Sequence, residues 1–204
     1  KQEKIGAITV QGYEALLPES FPTTRVILET ANKLGVPTGI VTNGTHLAEH
    51  IEDLKRLRPG KIAVSIDSHD PALHDRQRGK VGAWESAVAG LRRAVAEDIC
   101  EELSVTSVLV PKREDQVQGI PALLAEIGIF RWDICVLLKI GNVTEPARVV
   151  GDSREIIKVL LRLQTIAEQH GIILAIDDEF SRVSDADFER DITEVIRVRR
   201  LDRP

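Results

Sequence analysis

Short runs rich in valine and isoleucine, each ending in small polar residues, alternate along this chain with amphipathic stretches of helical period. That alternation is the signature of repeated βα units, and it constrains the fold more than any other feature of the sequence. Ile8-Thr9-Val10 runs into Gln11-Gly12-Tyr13-Glu14, Val41 into Thr42-Asn43-Gly44, and Val64 into Ser65-Ile66-Asp67-Ser68. In parallel sheets the carboxyl ends of the strands are where ligands sit, because the loops there converge above a packed core. Three successive polar strand ends therefore point to one shared site.

About seven such strands can be counted, fewer than the eight of a closed barrel. The expected fold is α/β, a partial (β/α) TIM-like barrel of parallel strands truncated at its N-terminus. Only 3% of the residues are aromatic, so the core must come from Leu, Ile, Val and Ala, the side chains that fill parallel sheets. With 43% hydrophobic residues in 204, one domain spanning 1–204 is expected. The first strand begins almost at Lys1, and the chain contains no methionine. Both features lead to the expectation that this is a fragment of a longer protein.

A net charge of -5 offers no uniform positive field, which argues against non-specific nucleic-acid binding. The basic segment from Arg197 to Arg203 reads as a solvated terminus. Cys100 and Cys135, the only cysteines, read as small buried apolar residues. No apolar run approaches a membrane span, and a reducing, cytoplasmic setting without membrane partners is expected.

The pattern predicts strands at Ile5 to Val10, Thr38 to Val41, Lys61 to Ile66, Leu103 to Val110, Trp132 to Leu138, Ile172 to Ile176 and Val195 to Val198. Strand five, Trp132 to Leu138, is nearly continuous in apolar residues, as for a strand covered on both faces. Helices are expected from Thr23 or Thr24 to Leu34, from an Asn43 or Thr45 cap through Leu47, Ile51, Leu54 and Leu57, and around Trp84 to Val95. Others are expected around Ile120 to Ile127, from Ser153 to His170, and briefly from Asp185. His69 to Gly82 reads as a long polar loop, a kind that commonly serves ligands.

Gly12 lets a ligand approach the backbone, and Glu14 adds a negative charge, although a glycine turn with a surface glutamate would look the same. Thr42-Asn43-Gly44-Thr45 suits polar hydrogen bonding and, equally, ordinary capping. Ser65 and Asp67 lie two apart on one strand and share a face, which suits a hydroxyl or an amino group of a ligand. His69 and His74 have no specific metal spacing, whereas the planar fork of Arg78 suits a carboxylate.

Taken in order and spacing, Gln11-Gly12-Tyr13-Glu14-Ala15-Leu16-Leu17, Thr42-Asn43-Gly44-Thr45, Ser65-Ile66-Asp67-Ser68 and His74-Asp75 through Arg78-Gly79-Lys80-Val81-Gly82-Ala83 resemble the radical S-adenosylmethionine (radical SAM) superfamily. The resemblance runs from Ile5 to about Leu138 and more weakly to Ile176. Gly12-Tyr13-Glu14-Ala15 stands where that family carries Gly-Gly-Glu-Pro, so Tyr13 replaces the second glycine and Ala15 the proline. The resemblance implies that Gly12, Tyr13 and Glu14 contact the cofactor at its amino group, that Thr42, Asn43, Ser65 and Asp67 face it, and that Arg78 lies near its methionyl carboxylate. Leu109, Val110 or the strand end near Leu138 would flank the adenine.

The family's defining C-x-x-x-C-x-x-C is absent, and Cys100 and Cys135 cannot supply it. The resemblance implies a 4Fe-4S cluster whose three thiolates lie upstream of this chain, an electron donor for that cluster, and a small-molecule or peptide substrate. The expected activity is that of an iron-sulfur oxidoreductase core that binds S-adenosylmethionine and, with the upstream cluster, generates a deoxyadenosyl radical, the fragment by itself being inactive. Two alternatives stay open: a cluster-less barrel serving as a binding or interaction module, and an ordinary barrel enzyme with a phosphate site late in the chain, where Gly141-Asn142 is the nearest candidate.

Overall fold

A computed structural model describes residues 5–110, 113–136 and 153–176. Six parallel strands in the order of the chain form one sheet: β1 (Ile8–Val10), β2 (Thr38–Thr42), β3 (Lys61–Ser65), β4 (Glu102–Leu109), β5 (Arg131–Val136) and β6 (Ile173–Ile176). Among the described residues six α-helices are interleaved: α1 (Phe21–Lys33), α2 (Ile51–Leu57), α3 (Pro71–Arg78), α4 (Ala83–Glu97), α5 (Ile120–Ile127) and α6 (Ser153–Gln169). Sequential order in an all-parallel sheet is what a curling (β/α) barrel requires, so the α/β partial-barrel expectation holds. The seventh strand expected at 195–198, the short helix from Asp185 and the Gly141-Asn142 turn lie outside the described residues.

The side-chain period of two sets the two faces of the wall. Ile40, Ile62, Val64, Val105, Leu109, Trp132 and Ile134 are all buried, and they join Leu28, Leu54, Leu91, Leu124 and Leu163 of the helices in one core cluster. At roughly 1.5–3 kcal/mol per fully buried aliphatic side chain, this layer dominates the folding energy. The alternate positions are different. Ala63 of β3, Thr106 of β4, and Asp133 and Cys135 of β5 line a cavity. The expectation that strand five is covered on both faces fails for that reason, since its apolar look comes from one face and its flanks.

Helix boundaries follow local chemistry. Pro22 sits in the first turn of α1 and moves its start ahead of the expected Thr23, because proline's missing N–H costs nothing there. Between Asn43 and α2 a short 3-10 turn at Leu47–His50 replaces the expected first helical turn. The largest departure lies in His69 to Gly82, read from sequence as a loop, which contains α3. Asp70 caps it, its carboxylate accepting from the amides of Ala72 at 2.8 Å and Leu73 at 3.2 Å, and Pro71 follows at the first helical position. The polar composition of the helix masked it, since His74 is its one buried residue.

Candidate functional site

The carboxyl ends of β1 and β2 are joined by one carboxylate. Glu14 accepts a very short hydrogen bond from the Thr42 hydroxyl, one from the amide of Asn43 at 2.7 Å and one from the amide of Leu16 at 3.1 Å. Thr42 is buried, and its oxygen in turn accepts from the amide of Gly44 at 3.0 Å. Asn43 turns its side-chain oxygen back on the amide and hydroxyl of Thr45, at 2.8 and 2.7 Å. The two loops are thus locked by charge-assisted bonds. Gly44, with φ +78°, packs so closely that an added Cβ would lie 2.6 Å from Val64 and 2.9 Å from Ala87.

Gly12, with φ +86° and open space around its Cβ position, needs glycine for its backbone conformation rather than for packing. The next residue, Tyr13, is 69% exposed. Glu14 therefore acts as the anchor that fixes this exposed Gly12-Tyr13 backbone against β2.

A second clasp follows at β3. The strand ends at Ser65, whose hydroxyl has no partner among the described residues, and Asp67 lies just beyond it, almost buried. Asp67 forms an ion pair with Arg78 at 2.8 Å and accepts a hydrogen bond from the Val108 amide at 3.1 Å, tying α3 to β4. Its own amide donates to His74 Nδ1 at 3.2 Å, so that nitrogen carries the lone pair and Nε2 the proton. His74 is fully buried, and burial, reinforced by the Arg78 charge, pushes its pKa below 6.5. Its Nε2 and the Nε of Arg78 are buried without hydrogen-bond partners.

The turn after α3 is held by Asp75. Its carboxylate accepts from the amides of Gly82 at 2.6 Å and Trp84 at 2.9 Å, and these bonds, Trp84 first, lower its pKa. His69 packs its ring over Gly119, where a Cβ would lie 2.5 Å from it, and contacts the Gln116 carbonyl at 3.2 Å. Neither histidine is a solvated loop residue.

The structure brings Glu14, Thr42 and Asn43 together in one bonded unit and Asp67 and Arg78 in another. Gly12 and Ser65 stand at the same edge of the sheet with polar groups uncommitted among the described residues, and Tyr13 is open to solvent. Of the adenine-flanking candidates, Leu109 is buried in the core, and Leu138 lies outside the described residues.

Sequence reasoning missed two parts. The bond from Trp132 Nε1–H to the Ser107 hydroxyl at 2.8 Å, passed on from that hydroxyl to the Ile66 carbonyl, crosses three strands just below the edge. No sequence signal pairs these residues. The polar inner positions Lys61, Glu102, Ser104, Thr106, Arg131 and Asp133 were also missed, although their period of two within otherwise apolar strands was legible.

The donor set at this edge suits a polar nucleoside-type ligand: exposed backbone at Gly12, a free hydroxyl at Ser65 and a guanidinium at Arg78. It does not suit an iron-sulfur cluster. Among the described residues no group of three or more metal-ligating side chains converges. Cys100 sits at the opposite, amino-terminal end of the sheet, away from this edge, with burial pushing its thiol up to about 11.

The description "Radical SAM superfamily" belongs to the family model that matches residues 1–120. An AdoMet-dependent heme synthase of Methanosarcina barkeri is 28% identical over 134 residues, covering 65% of this chain and 38% of its own length. The chain thus spans about two fifths of that curated relative. Streptococcus suis SuiB bound to S-adenosylmethionine superposes with a TM-score of 0.66 at 14% identity, over 84% of this chain and 39% of SuiB. A radical SAM methyltransferase from Sphaerobacter thermophilus superposes with a TM-score of 0.61 at 19% identity, over 86% of this chain and 51% of its own. A family match across more than half of the residues, over the stretch that contains the bonded edge, leads to one conclusion: the chain belongs to the radical SAM superfamily.

Proposed function

We propose that the carboxyl edge of β1 to β3 binds S-adenosylmethionine and that this chain is the cofactor-binding core, within residues 1–204, of a longer radical SAM oxidoreductase. The observation that carries this reading is the Glu14 clasp. By consuming its carboxylate on Thr42, Asn43 and Leu16, Glu14 leaves the backbone groups of Gly12 and Tyr13 free and fixed in place. They can meet an ammonium, while Ser65 and Arg78 offer donors to a carboxylate. Asp67 holds Arg78 in position, and Thr42 and Asn43 set the height of the loop.

Bound S-adenosylmethionine supplies, on one-electron reduction, a deoxyadenosyl radical that can take hydrogen from a substrate; the chain's share is binding, orientation and exclusion of water. The thiolates for a 4Fe-4S cluster are not among these residues, so the proposal places them elsewhere in the protein, along with contacts to an electron donor.

Equilibrium dialysis of the intact protein against labelled S-adenosylmethionine tests the reading. Saturable binding weakened by Ser65→Ala and by Arg78→Met supports it, and binding indifferent to both overturns it. The second reading is a cluster-less binding module. Iron counting and a deoxyadenosine assay after anaerobic reconstitution separate the two, absence of both iron and cleavage selecting the module.

A further inference from the structure

The concave side of the sheet encloses a cavity of about 740 Å³ lined by Thr9, Gly39, Ala63, Thr106, Asp133 and Ala175 among others. A closed barrel fills its interior with layers of bulky branched side chains. Here Thr9, Gly39, Ala63, Thr106 and Ala175 are small, and the space above the charged residues stays open.

The cavity ends at the amino termini of β3, β4 and β5 in a network of four charges. Lys61 reaches Asp133 at 2.9 Å and Glu102 at 3.0 Å. Arg131 reaches Asp133 at 2.9 Å and Glu102 at 3.4 Å, and the Ser104 hydroxyl donates to Asp133 at 3.0 Å. The two cations and two anions cancel within this network, and the Glu101 carboxylate lines the same end of the cavity beside Gly60. It lies four residues of β3 below Ser65, roughly 13 Å at about 3.3 Å per residue.

The bonding capacity of this floor is not exhausted. The Lys61 ammonium has three N–H donors and, among the described residues, two carboxylate partners, leaving one donor. Asp133 has about four acceptor positions and receives Lys61, Arg131 and Ser104, leaving one acceptor beside that donor. A lone anion would meet the Asp133 and Glu102 carboxylates, and a lone cation would meet Lys61 and Arg131. An apolar group would leave both open positions without partners.

We propose that this floor recognises a neutral amide-like group of the substrate, one that accepts from Lys61 and donates to Asp133, with the reacting part of the substrate extending upward toward the edge at Ser65. The direction of the substrate rests on the cofactor site proposed above; the amide preference of the floor rests on its own geometry.

The test is ligand-observed NMR on the intact protein with three probes of one size: propionamide, propionate and propylammonium. Propionamide should bind saturably and the two ions at least about tenfold more weakly, because each ion meets a like charge at the floor. Lys61→Met should abolish propionamide binding. Because that variant also unpairs two carboxylates and could unfold, Ala63→Leu is the second variant, filling the cavity above the floor without touching a charge, and it too should abolish binding. The proposal is overturned if either ion binds as well as the amide, if both variants bind propionamide as the unsubstituted protein does, or if propionamide does not bind at all. S-adenosylmethionine titrated separately into the unsubstituted protein keeps the two readings apart: if propionamide binds and S-adenosylmethionine does not, the floor stands and the cofactor edge is overturned, and if S-adenosylmethionine binds and propionamide does not, the floor is overturned and the edge stands.

Discussion

The two ends of this sheet handle charge in opposite ways. At the carboxyl edge, Glu14, Asp67 and Asp75 are satisfied mainly by backbone amides, of Leu16 and Asn43, of Val108, and of Gly82 and Trp84. At the amino end, Lys61, Glu102, Arg131 and Asp133 are satisfied chiefly by one another. A carboxylate bonded to amides fixes the path of the chain, because the donors cannot move without moving the loop. Side-chain ion pairs at 16–41% exposure are screened and adjustable, which suits a surface that exchanges partners with a ligand. The edge is a scaffold for backbone groups, and the floor is a set of side-chain groups in balance.

Breaking the edge should cost more than breaking the floor. The largest effect is expected for Gly44→Ala, where a left-handed residue and contacts of 2.6 and 2.9 Å combine to about 3 kcal/mol of lost stability. Gly79→Ala, with φ +68° and nothing within 4 Å, should lose only about 1 kcal/mol. Urea denaturation of both variants reads the difference, and equal losses would remove the packing argument. Next, Glu14→Ala unpairs the Thr42 hydroxyl and two amides and should cost about 2–3 kcal/mol, with Glu14→Gln recovering part of it. Thermal melts check this, and a neutral Glu14→Ala would mean that the clasp holds nothing.

The third prediction concerns pH. His74 faces Arg78, Asp67 and Asp75, and its pKa in the folded state lies below 6.5 because burial disfavours the cation. The unfolded chain therefore takes up a proton that the folded chain resists. The stability His74 supplies is complete above about pH 6.5 and is lost as pH falls through the lower folded value. His74→Gln should flatten the acid side of a stability-pH profile measured between pH 7 and 5 relative to the unsubstituted chain. An unchanged slope would show that the imidazole is not the titrating group. The smallest effect belongs to the floor: Glu102→Gln, at 41% exposure, should change stability by less than about 1 kcal/mol, and a loss matching that of Glu14→Ala would erase the contrast between the two ends.

Much of the framework was legible in the sequence. Valine and isoleucine runs at Ile62 to Val64 and Val105 to Leu109 located strands to within a residue or two, because burial against helices demands branched side chains at alternate positions. The order of the Gly12-Tyr13-Glu14, Thr42-Asn43 and Ser65-Asp67 segments was enough to mark one edge. Helix α3 was not legible, since its polar residues gave no periodic signal and its start depended on the Asp70-Pro71 cap.

Local sequence by itself determined which segments become strands, where they end and which small polar residues those ends carry, because propensity, side-chain alternation and turn chemistry act within a few residues. Only the tertiary structure decided what those residues touch. It bonded the Glu14 carboxylate to Thr42 and Asn43, paired Arg78 with Asp67, and gathered Lys61, Glu102, Arg131 and Asp133 from three strands into one floor. Partners such as Glu14 and Thr42, 28 positions apart, and Lys61 and Asp133, 72 apart, are brought together by sheet register and crossover geometry, and no local pattern encodes that meeting.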